Sequence, residues 1–369
     1  MAAILLLAGC TTPAPADAGP PRDAAGLLAW CAPRADPPAC VQDALQDVMR
    51  AEGAGAAFAL LANVTALDGT AGDAHQWAHA LGRFALDLHG DVHRAMAACP
   101  PGMGSGCLHG VVEAHLARSP PDAPLEGLCV ADGPKAQHLV HQCWHGVGHG
   151  LLMAFDGDWI QAGGRCMGIA SFEDQVNCGS GVFMQNLVDE KAGAHVHGTH
   201  GVPRILPEDI LFPCDQLVPV ALLVGCWQVQ PGVVLLLRGG NLTAAFEACA
   251  QAGAYALACE SGIGQVVAAQ ERIDGRSALA ACELAPNQTA SLHCMRSVVM
   301  ESINHAGDLQ AGLDRCAVLL AAVVAYCYQA VGDMHVALES RPEARAERCL
   351  AVPEAHRQAC AEGTPRETP

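Results

Sequence analysis

The sequence predicts an all-α fold made of repeated two-helix units, each stapled by a disulfide. Three observations predict it. Cysteine recurs on a nearly fixed period. The segments around the cysteines read as paired short helices. Alanine, glycine and leucine dominate while aromatic residues make up only 4% of the chain, a balance that favours packed helices over sheets. With 369 residues, 51% of them apolar, the chain can bury a large core or a long stack of small ones.

The cysteines come first. There are 19, an unusual load for a reducing compartment. They fall into neighbours: Cys31/Cys40, Cys99/Cys107, Cys129/Cys143, Cys166/Cys178, Cys214/Cys226, Cys249/Cys259, Cys282/Cys294, Cys316/Cys327 and Cys349/Cys360, with Cys10 left over. Sequence alone does not determine connectivity, but the regularity favours nearest-neighbour pairing. Zinc-ribbon spacing is absent. So is the Cys-x-x-Cys-His of a covalently attached haem, and none is expected.

The second cysteines stand at 107, 143, 178, 226, 259, 294, 327 and 360, in steps of 36, 35, 48, 33, 35, 33 and 33. A period near 34 is that of two-helix units, each unable to bury its apolar face alone and therefore stacked on the next. One helix ends in the first cysteine, as in LTAAFEAC, GRSALAAC, LQAGLDRC and PEARAERC. A second opens at the second cysteine, as in CLHGVVEAHL, CWHGVGHGLL, CGSGVFMQNL and CESGIGQVVA. One period before Cys107 lies Asp73, where DAHQWAHALGR carries the same kind of helix without a cysteine. In period and cysteine placement the chain resembles the tetratricopeptide-like class, specifically the bacterial repeat proteins that staple each helix pair with a disulfide. The resemblance covers about Asp73 to Cys360. It implies a right-handed αα-hairpin solenoid over residues 31–360, with about one disulfide per unit, and a concave groove of the kind that takes a protein or peptide.

The leftover cysteine closes the opening run MAAILLLAGC, where Leu7-Ala8-Gly9-Cys10 resembles the lipobox of bacterial lipoproteins. The resemblance implies a signal peptide over 1–10, a lipid on Cys10, and attachment to the periplasmic or cell-surface face of a bacterial membrane. A flexible tether is expected over 11–30, rich in Thr, Pro and Ala from Thr11 to about Pro21, and a disordered tail over 361–369. The apolar stretch from Val218 to Leu237 is interrupted by Gly, Gln and Pro and reads as a buried helix, not a membrane span. The net charge of −18 argues against nucleic acid, and against an anionic lipid surface, as the main partner.

Thirteen of the 17 histidines lie between His75 and His200. The positions two and six residues after each second cysteine are four apart, so they share one helix face. In three consecutive units they are His75/His79, His109/Glu113 and His145/His149. Afterwards they are Ser180/Met184, Gln228/Gly232, Ser261/Gln265, Arg296/Met300 and Gln329/Asp333. If equivalent helices line a common surface, five imidazoles and one carboxylate converge there. That set suits zinc, iron or copper, and pairs four apart on facing helices are how helical scaffolds build metal sites. Glu113 would be a ligand or a general base. Gly146 and Gly148, beside Trp144, would let the helices approach closely. The plainer reading is a packing motif, in which each imidazole bonds the next unit's backbone and duplication has copied one ancestral histidine.

The long step, 48 against 35 for its predecessor, marks an insertion over 190–213. It holds His195, His197 and His200, candidate lid ligands or members of a solvated loop. His138 and His141 are candidates to support the ligands from behind, and Gly90-Asp91 should turn His89 and His93 away. The expectation is an extracytoplasmic, lipid-anchored repeat protein with a His/Glu metal centre, acting as a metal-dependent hydrolase or oxidoreductase. The alternatives are a non-enzymatic scaffold for a protein or peptide, and metal storage or delivery. They separate on whether the imidazoles of His109, His145 and His149 meet.

Overall fold

The computed structural model describes residues 19–67, 74–130, 136–191, 203–319 and 323–364. Among them the chain forms eighteen α-helices and no strand beyond one isolated bridge, Leu206 to Asp209. Cys10, His195, His197, His200 and the signal-peptide segment lie outside the described residues.

The helices come in pairs. They are α1 (Ala24–Cys31) with α2 (Pro37–Glu52), α3 (Ala54–Thr65) with α4 (Ala74–His89), and α5 (Val92–Ala98) with α6 (Gly106–Leu116). Next come α7 (Ala136–Ala154), which has no first helix, α8 (Trp159–Cys166) with α9 (Phe172–Lys191), and α10 (Val220–Leu237), again single. Four pairs finish the chain: α11 (Leu242–Gln251) with α12 (Ala256–Asp274), α13 (Ala278–Cys282) with α14 (Gln288–Ala306), α15 (Gln310–Ala317) with α16 (Val324–Leu338), and α17 (Pro342–Arg348) with α18 (Arg357–Glu362). Many first helices start on a short polar side chain that accepts from the backbone three residues on: Asp23 from Gly26, Asp91 from Arg94, Asn241 from Ala244 and Ser277 from Ala280. Such caps satisfy amides that a helix start leaves bare.

All nine nearest-neighbour disulfides are formed: Cys31–Cys40, Cys99–Cys107, Cys129–Cys143, Cys166–Cys178, Cys214–Cys226, Cys249–Cys259, Cys282–Cys294, Cys316–Cys327 and Cys349–Cys360. Their Cα separations are 5.3–5.9 Å. Each ties the end of the first element of a unit to the second helix. Two units depart from the expected pattern of a helix before the first cysteine. Cys129 sits in an irregular stretch and Cys214 in a single 3-10 turn. The prolines of SPPDAP and FPC weigh against a helix in both, since proline removes a helix hydrogen bond and restricts the residue before it.

The second cysteine does not open its helix as expected, except at Cys107, one residue into α6. Instead Cys40, Cys259, Cys327 and Cys360 lie three residues past the start of α2, α12, α16 and α18. Cys178, Cys226 and Cys294 lie six past the start of α9, α10 and α14, and Cys143 seven past that of α7. The reason is that a cysteine in a disulfide cannot cap a helix. Two of the starts fall on a capping side-chain oxygen, Asp36 accepting from Ala39 and Asn287 from Ala290. The sulfur instead needs a buried position facing the first element. Cys40, Cys143, Cys226, Cys259 and Cys294 are accordingly at most 8% exposed.

The second helices pack in series: α4 on α6, α6 on α7, α7 on α9, α9 on α10, then α12, α14, α16 and α18. The row bends back, because α14 touches the Met103–Ser105 turn and α16 touches α7. Glycine sets the spacing. A Cβ built on Gly110 of α6 would lie 1.9 Å from the His79 carbonyl oxygen of α4, and one on Gly148 of α7 would lie 2.0 Å from the Cys178 carbonyl of α9. No side chain fits there, so the helices touch backbone to backbone.

Two expected boundaries move. The segment 11–30 is not all tether, because α1 begins at Ala24 and buries Leu27 completely. The tail orders as far as Thr364, whose amide and hydroxyl both donate to Asp333. Helix α10 is long and apolar enough to cross a membrane by length and composition, but it is largely buried and packs between α9 and α12, as the interruptions by Gly225, Gln230 and Pro231 suggested.

Two measurements check this account. Gly110→Ala should destabilise the protein by about 1–3 kcal/mol through overpacking. Gly164→Ala, in α8 with nothing within 4 Å of the new methyl, should be neutral or stabilising by about 0.5–1 kcal/mol. Urea midpoints of the two variants decide it; equal shifts would contradict the backbone contact. Cys282→Ala/Cys294→Ala, which opens a 12-residue loop, should cost about 2–3 kcal/mol in the same assay and leave the far-UV helical signal in place.

Candidate metal centre

Gly110 brings α6 onto α4, and a Cβ built on Gly146 of α7 would lie 2.9 Å from the His109 Cα of α6, so α4, α6 and α7 pack closely around these side chains. His75, His79, His109, His145 and His149 form one ring cluster. Centroids lie 4.5 Å apart for His75/His79, 5.3 Å for His79/His109, 5.0 Å for His109/His145, 5.5 Å for His109/His149 and 4.8 Å for His145/His149. Ligand-type nitrogens of His75, His79 and His109 all lie within 4.8 Å of one another. His79, His109, Glu113 and His149 are 2–4% exposed. The residues of the +2/+6 row in these three units therefore converge.

The partners of the rings decide what the cluster can do. His75 Nδ1 lies 2.8 Å from the Met103 carbonyl, so it is the donor. His79 Nδ1 lies 2.7 Å from Glu113 Oε1. His149 Nδ1 lies 2.9 Å from Gln185 Oε1, and the amide of Gln185 is oriented by its own donation to Asp189. His145 Nδ1 meets Ser180 Oγ at 2.9 Å, and that hydroxyl spends its proton on the Asn177 carbonyl, so the imidazole must donate. His109 Nε2 faces Gln142 Oε1 at 3.3 Å. In each neutral imidazole only one nitrogen carries a proton. Each ring sets one nitrogen against an outward acceptor, and in the neutral rings the other is a bare lone pair: Nε2 of His75, His145 and His149, and Nδ1 of His109.

Two of those lone-pair nitrogens, His109 Nδ1 and His149 Nε2, are buried without a partner. Each such orphan costs about 1–3 kcal/mol. The Nε2 atoms of His75 and His79 face each other at 2.9 Å. Two lone pairs do not sit that close without a cation between them. Either His79 carries a second proton, paired with Glu113, or a metal ion takes both nitrogens. Imidazoles held by carboxylates, amides and carbonyls from behind are the usual dress of metal ligands.

The electrostatics agree. Burial drives His75 down to about 3, aided by the nearby His79. Burial also takes His149 to about 4, against the pull of Glu113. His109 and His145 fall well below the ordinary imidazole range, by burial first and then by their histidine neighbours. These rings stay neutral at physiological pH and keep their lone pairs available. Burial alone would raise Glu113; the hydrogen bond and charge of His79, with His149 and Arg83, outweigh it and hold the carboxyl at about 2.

Glu113 differs from its expected role as a ligand or base. Both oxygens are taken, Oε1 by His79 and Oε2 by Arg83 at 2.8 Å. It stands behind His79 and fixes that ring's proton. His141 also goes elsewhere, 3.5 Å from Glu173, while Gln142 beside it supports His109. Gly90, with φ +66°, ends α4 and leaves His89 and His93 exposed, as the Gly-Asp pair suggested. Sequence reading missed Gln142, Gln185 and the Met103 carbonyl. The signal was there in part. Bonds across the row join residues about one period apart: His79–Glu113 by 34, His109–Gln142 by 33, His145–Ser180 by 35 and His149–Gln185 by 36.

Cysteine supplies no ligand to the cluster from the described residues. The sulfurs of Cys40, Cys143, Cys226, Cys259 and Cys294, like those of the other paired cysteines, are spent in disulfides and serve structure alone. A second group, His335 with Cys349 and Cys360, has metal-type atoms close together, but both cysteines belong to one disulfide. Beside the rings lies a cavity of about 90 Å³, lined by His75, His79, Arg83, Glu113, His149, Met153, Met184 and Gln185, among others. Compared with protein-family models, characterised proteins and solved structures, the chain matches none.

One test concerns the carboxylate alone. Glu113→Ala leaves His79 Nδ1 and Arg83 without an acceptor in a buried site, and should cost about 3 kcal/mol or more. Glu113→Gln, which can still accept from His79, should cost distinctly less. Equal losses in denaturant would show that shape, not charge, matters at this position.

Proposed function

We propose that this chain is an exported metal-binding protein whose site is the histidine cluster of α4, α6 and α7, with zinc or copper as its ion. One observation carries the reading: five clustered imidazoles each set one nitrogen against an outward acceptor, which leaves His109 Nδ1 and His149 Nε2 buried without a partner and brings the Nε2 atoms of His75 and His79 to 2.9 Å. A packing role alone leaves the two orphaned nitrogens, His109 Nδ1 and His149 Nε2, side by side without a reason. An all-imidazole set suits Zn or Cu. Iron and manganese sites draw on carboxylate ligands, and Glu113 is engaged behind the ring.

Binding and delivery fit better than turnover. The neighbouring cavity has room for only a few water-sized groups, and Glu113 is not free to act as a base. The hydrolase and oxidoreductase readings lose their acid-base residue. The scaffold reading has less support, because row positions further along are filled by bonds between units, such as Arg296 to Asp333 at 2.5 Å. The rest of the proposal follows the sequence: a right-handed αα-solenoid, supported by the serial packing of second helices and the period near 34, and a lipid on Cys10. Nine disulfides support an oxidising, extracytoplasmic compartment.

Metal analysis tests the proposal. Protein exported through an oxidising periplasm and purified without chelator should carry one or two equivalents of zinc or copper. His145→Ala/His149→Ala should lose metal while keeping its helical signal. Glu113→Gln should bind 10–100-fold more weakly, as expected when the acceptor behind a ligating imidazole is altered. Wild type that holds no metal, even after reloading, refutes the reading.

A further inference from the structure

The +6 positions of four consecutive units read His79, Glu113, His149 and Met184. Along α7 the same face runs His145, His149 and Met153, at intervals of four. The two series cross at His149, and both end in methionine on the wall of the same cavity. There Met153 and Met184 stand beside His75, His79 and His149. Met153 is 47% exposed, although a thioether gains nothing from water, and it marks the solvent side of the cavity. Methionine is a common filler of apolar gaps. This cavity is not apolar: its other walls are largely imidazoles, a carboxylate, a guanidinium and two amides.

Charge narrows the ion further. Among the described residues the only carboxylate on the cavity wall, Glu113, is already offset by Arg83 at 2.8 Å. Imidazole ligands are neutral. A divalent ion here would be a buried double charge with no anion to balance it. The cost of burying an ion rises with the square of its charge, so a monovalent ion pays about a quarter as much. Soft thioethers with imidazoles, in a site that tolerates only low charge, select Cu(I) among the metals that imidazole binds.

We propose that the cavity takes Cu(I) in a three- or four-coordinate site, with the thioethers of Met153 and Met184 as ligands on the solvent side and the remaining ligands drawn from the imidazoles of His75, His79 and His149 on the inner wall. This rests on the metal-binding reading above and specifies its ion. No electron transfer is involved: the ion binds as Cu(I) and leaves as Cu(I).

The test is an anaerobic competition titration against a chromogenic Cu(I) chelator, run beside a Zn(II) titration. It uses the full folded chain and its Met153→Leu/Met184→Leu variant. The substitution keeps volume and apolarity, so the fold should survive, and far-UV circular dichroism checks it. Wild type should take one equivalent of Cu(I). The variant should bind Cu(I) at least tenfold more weakly, with Zn(II) affinity changed less than twofold. X-ray absorption of the Cu(I)-loaded wild type should show sulfur as well as nitrogen around copper, and the variant nitrogen alone. Equal Cu(I) affinity in the two proteins, or a copper spectrum without sulfur, overturns the assignment while leaving a histidine metal site intact. Zinc bound by a wild type that refuses Cu(I) does the same. A wild type that binds neither ion overturns both readings.

Discussion

The contact between the backbones of neighbouring second helices is the constraint on which the rest depends. Where Gly110 meets the His79 carbonyl, and Gly148 the Cys178 carbonyl, no Cβ can be accommodated. Helices that close cannot slide past one another without a clash, so their register is fixed to the residue. That register makes side chains from adjacent units meet at one-period separations, and it turns three separate i,i+4 pairs into one cluster. The disulfides act on a different link. They restrain each unit's own hairpin and weigh most on the unfolded chain, whereas the glycines decide how units meet.

Packing five imidazoles together, three of them buried, is unfavourable on its face. The structure meets the cost by giving every ring a donor role on its outer side. Met103, Glu113, Gln142, Ser180 and Gln185 each accept one proton, and several are themselves oriented, Ser180 by the Asn177 carbonyl and Gln185 by Asp189. The outer ring of acceptors thus sets the inner ring of lone pairs. A cluster without this layer would be free to choose tautomers that bond internally. The chemistry of the site is written mostly in residues that do not touch the site's centre.

Much of this was legible in the sequence. The cysteine period showed nine pairings and the helical units, because a short disulfide loop leaves its partners close in the chain. The +2/+6 row exposed His75, His79, His109, His145 and His149 together, because equivalent positions of stacked units face the same way. Other features were not legible. The second helices begin well before Cys143, Cys226 and Cys294; α10 starts after Pro219 and α14 on the Asn287 cap, not at the cysteine. The acceptors Gln142 and Gln185 lie off the row, at −1 and +7 from their cysteines, and the Met103 carbonyl is backbone, invisible to any residue pattern. Glu113 was visible as a residue but not in its role. Ligand and supporting carboxylate differ only in which side of His79 the oxygen reaches, and that depends on Arg83 thirty residues away. The missing first helices before Cys129 and Cys214 show the local rule winning over the repeat: proline interrupts the helix, and the disulfide still forms because it needs only proximity.

The cluster also shows why only part of a repeat array carries chemistry. Every unit presents a +2/+6 pair to its neighbours, and each pair must be satisfied somehow. Near the C-terminal end the solution is a bond between units: Arg296 pairs with Asp333, and Asp333 in turn accepts from Thr364. Opposite charges on neighbouring units satisfy each other. Histidine paired with histidine closes only in part: His75 and His79 meet Nε2 to Nε2, while His109 Nδ1 and His149 Nε2 stay without a partner. The row that packs on charge pairs elsewhere is thus, from α4 to α7, written in imidazole and left with unmet lone pairs.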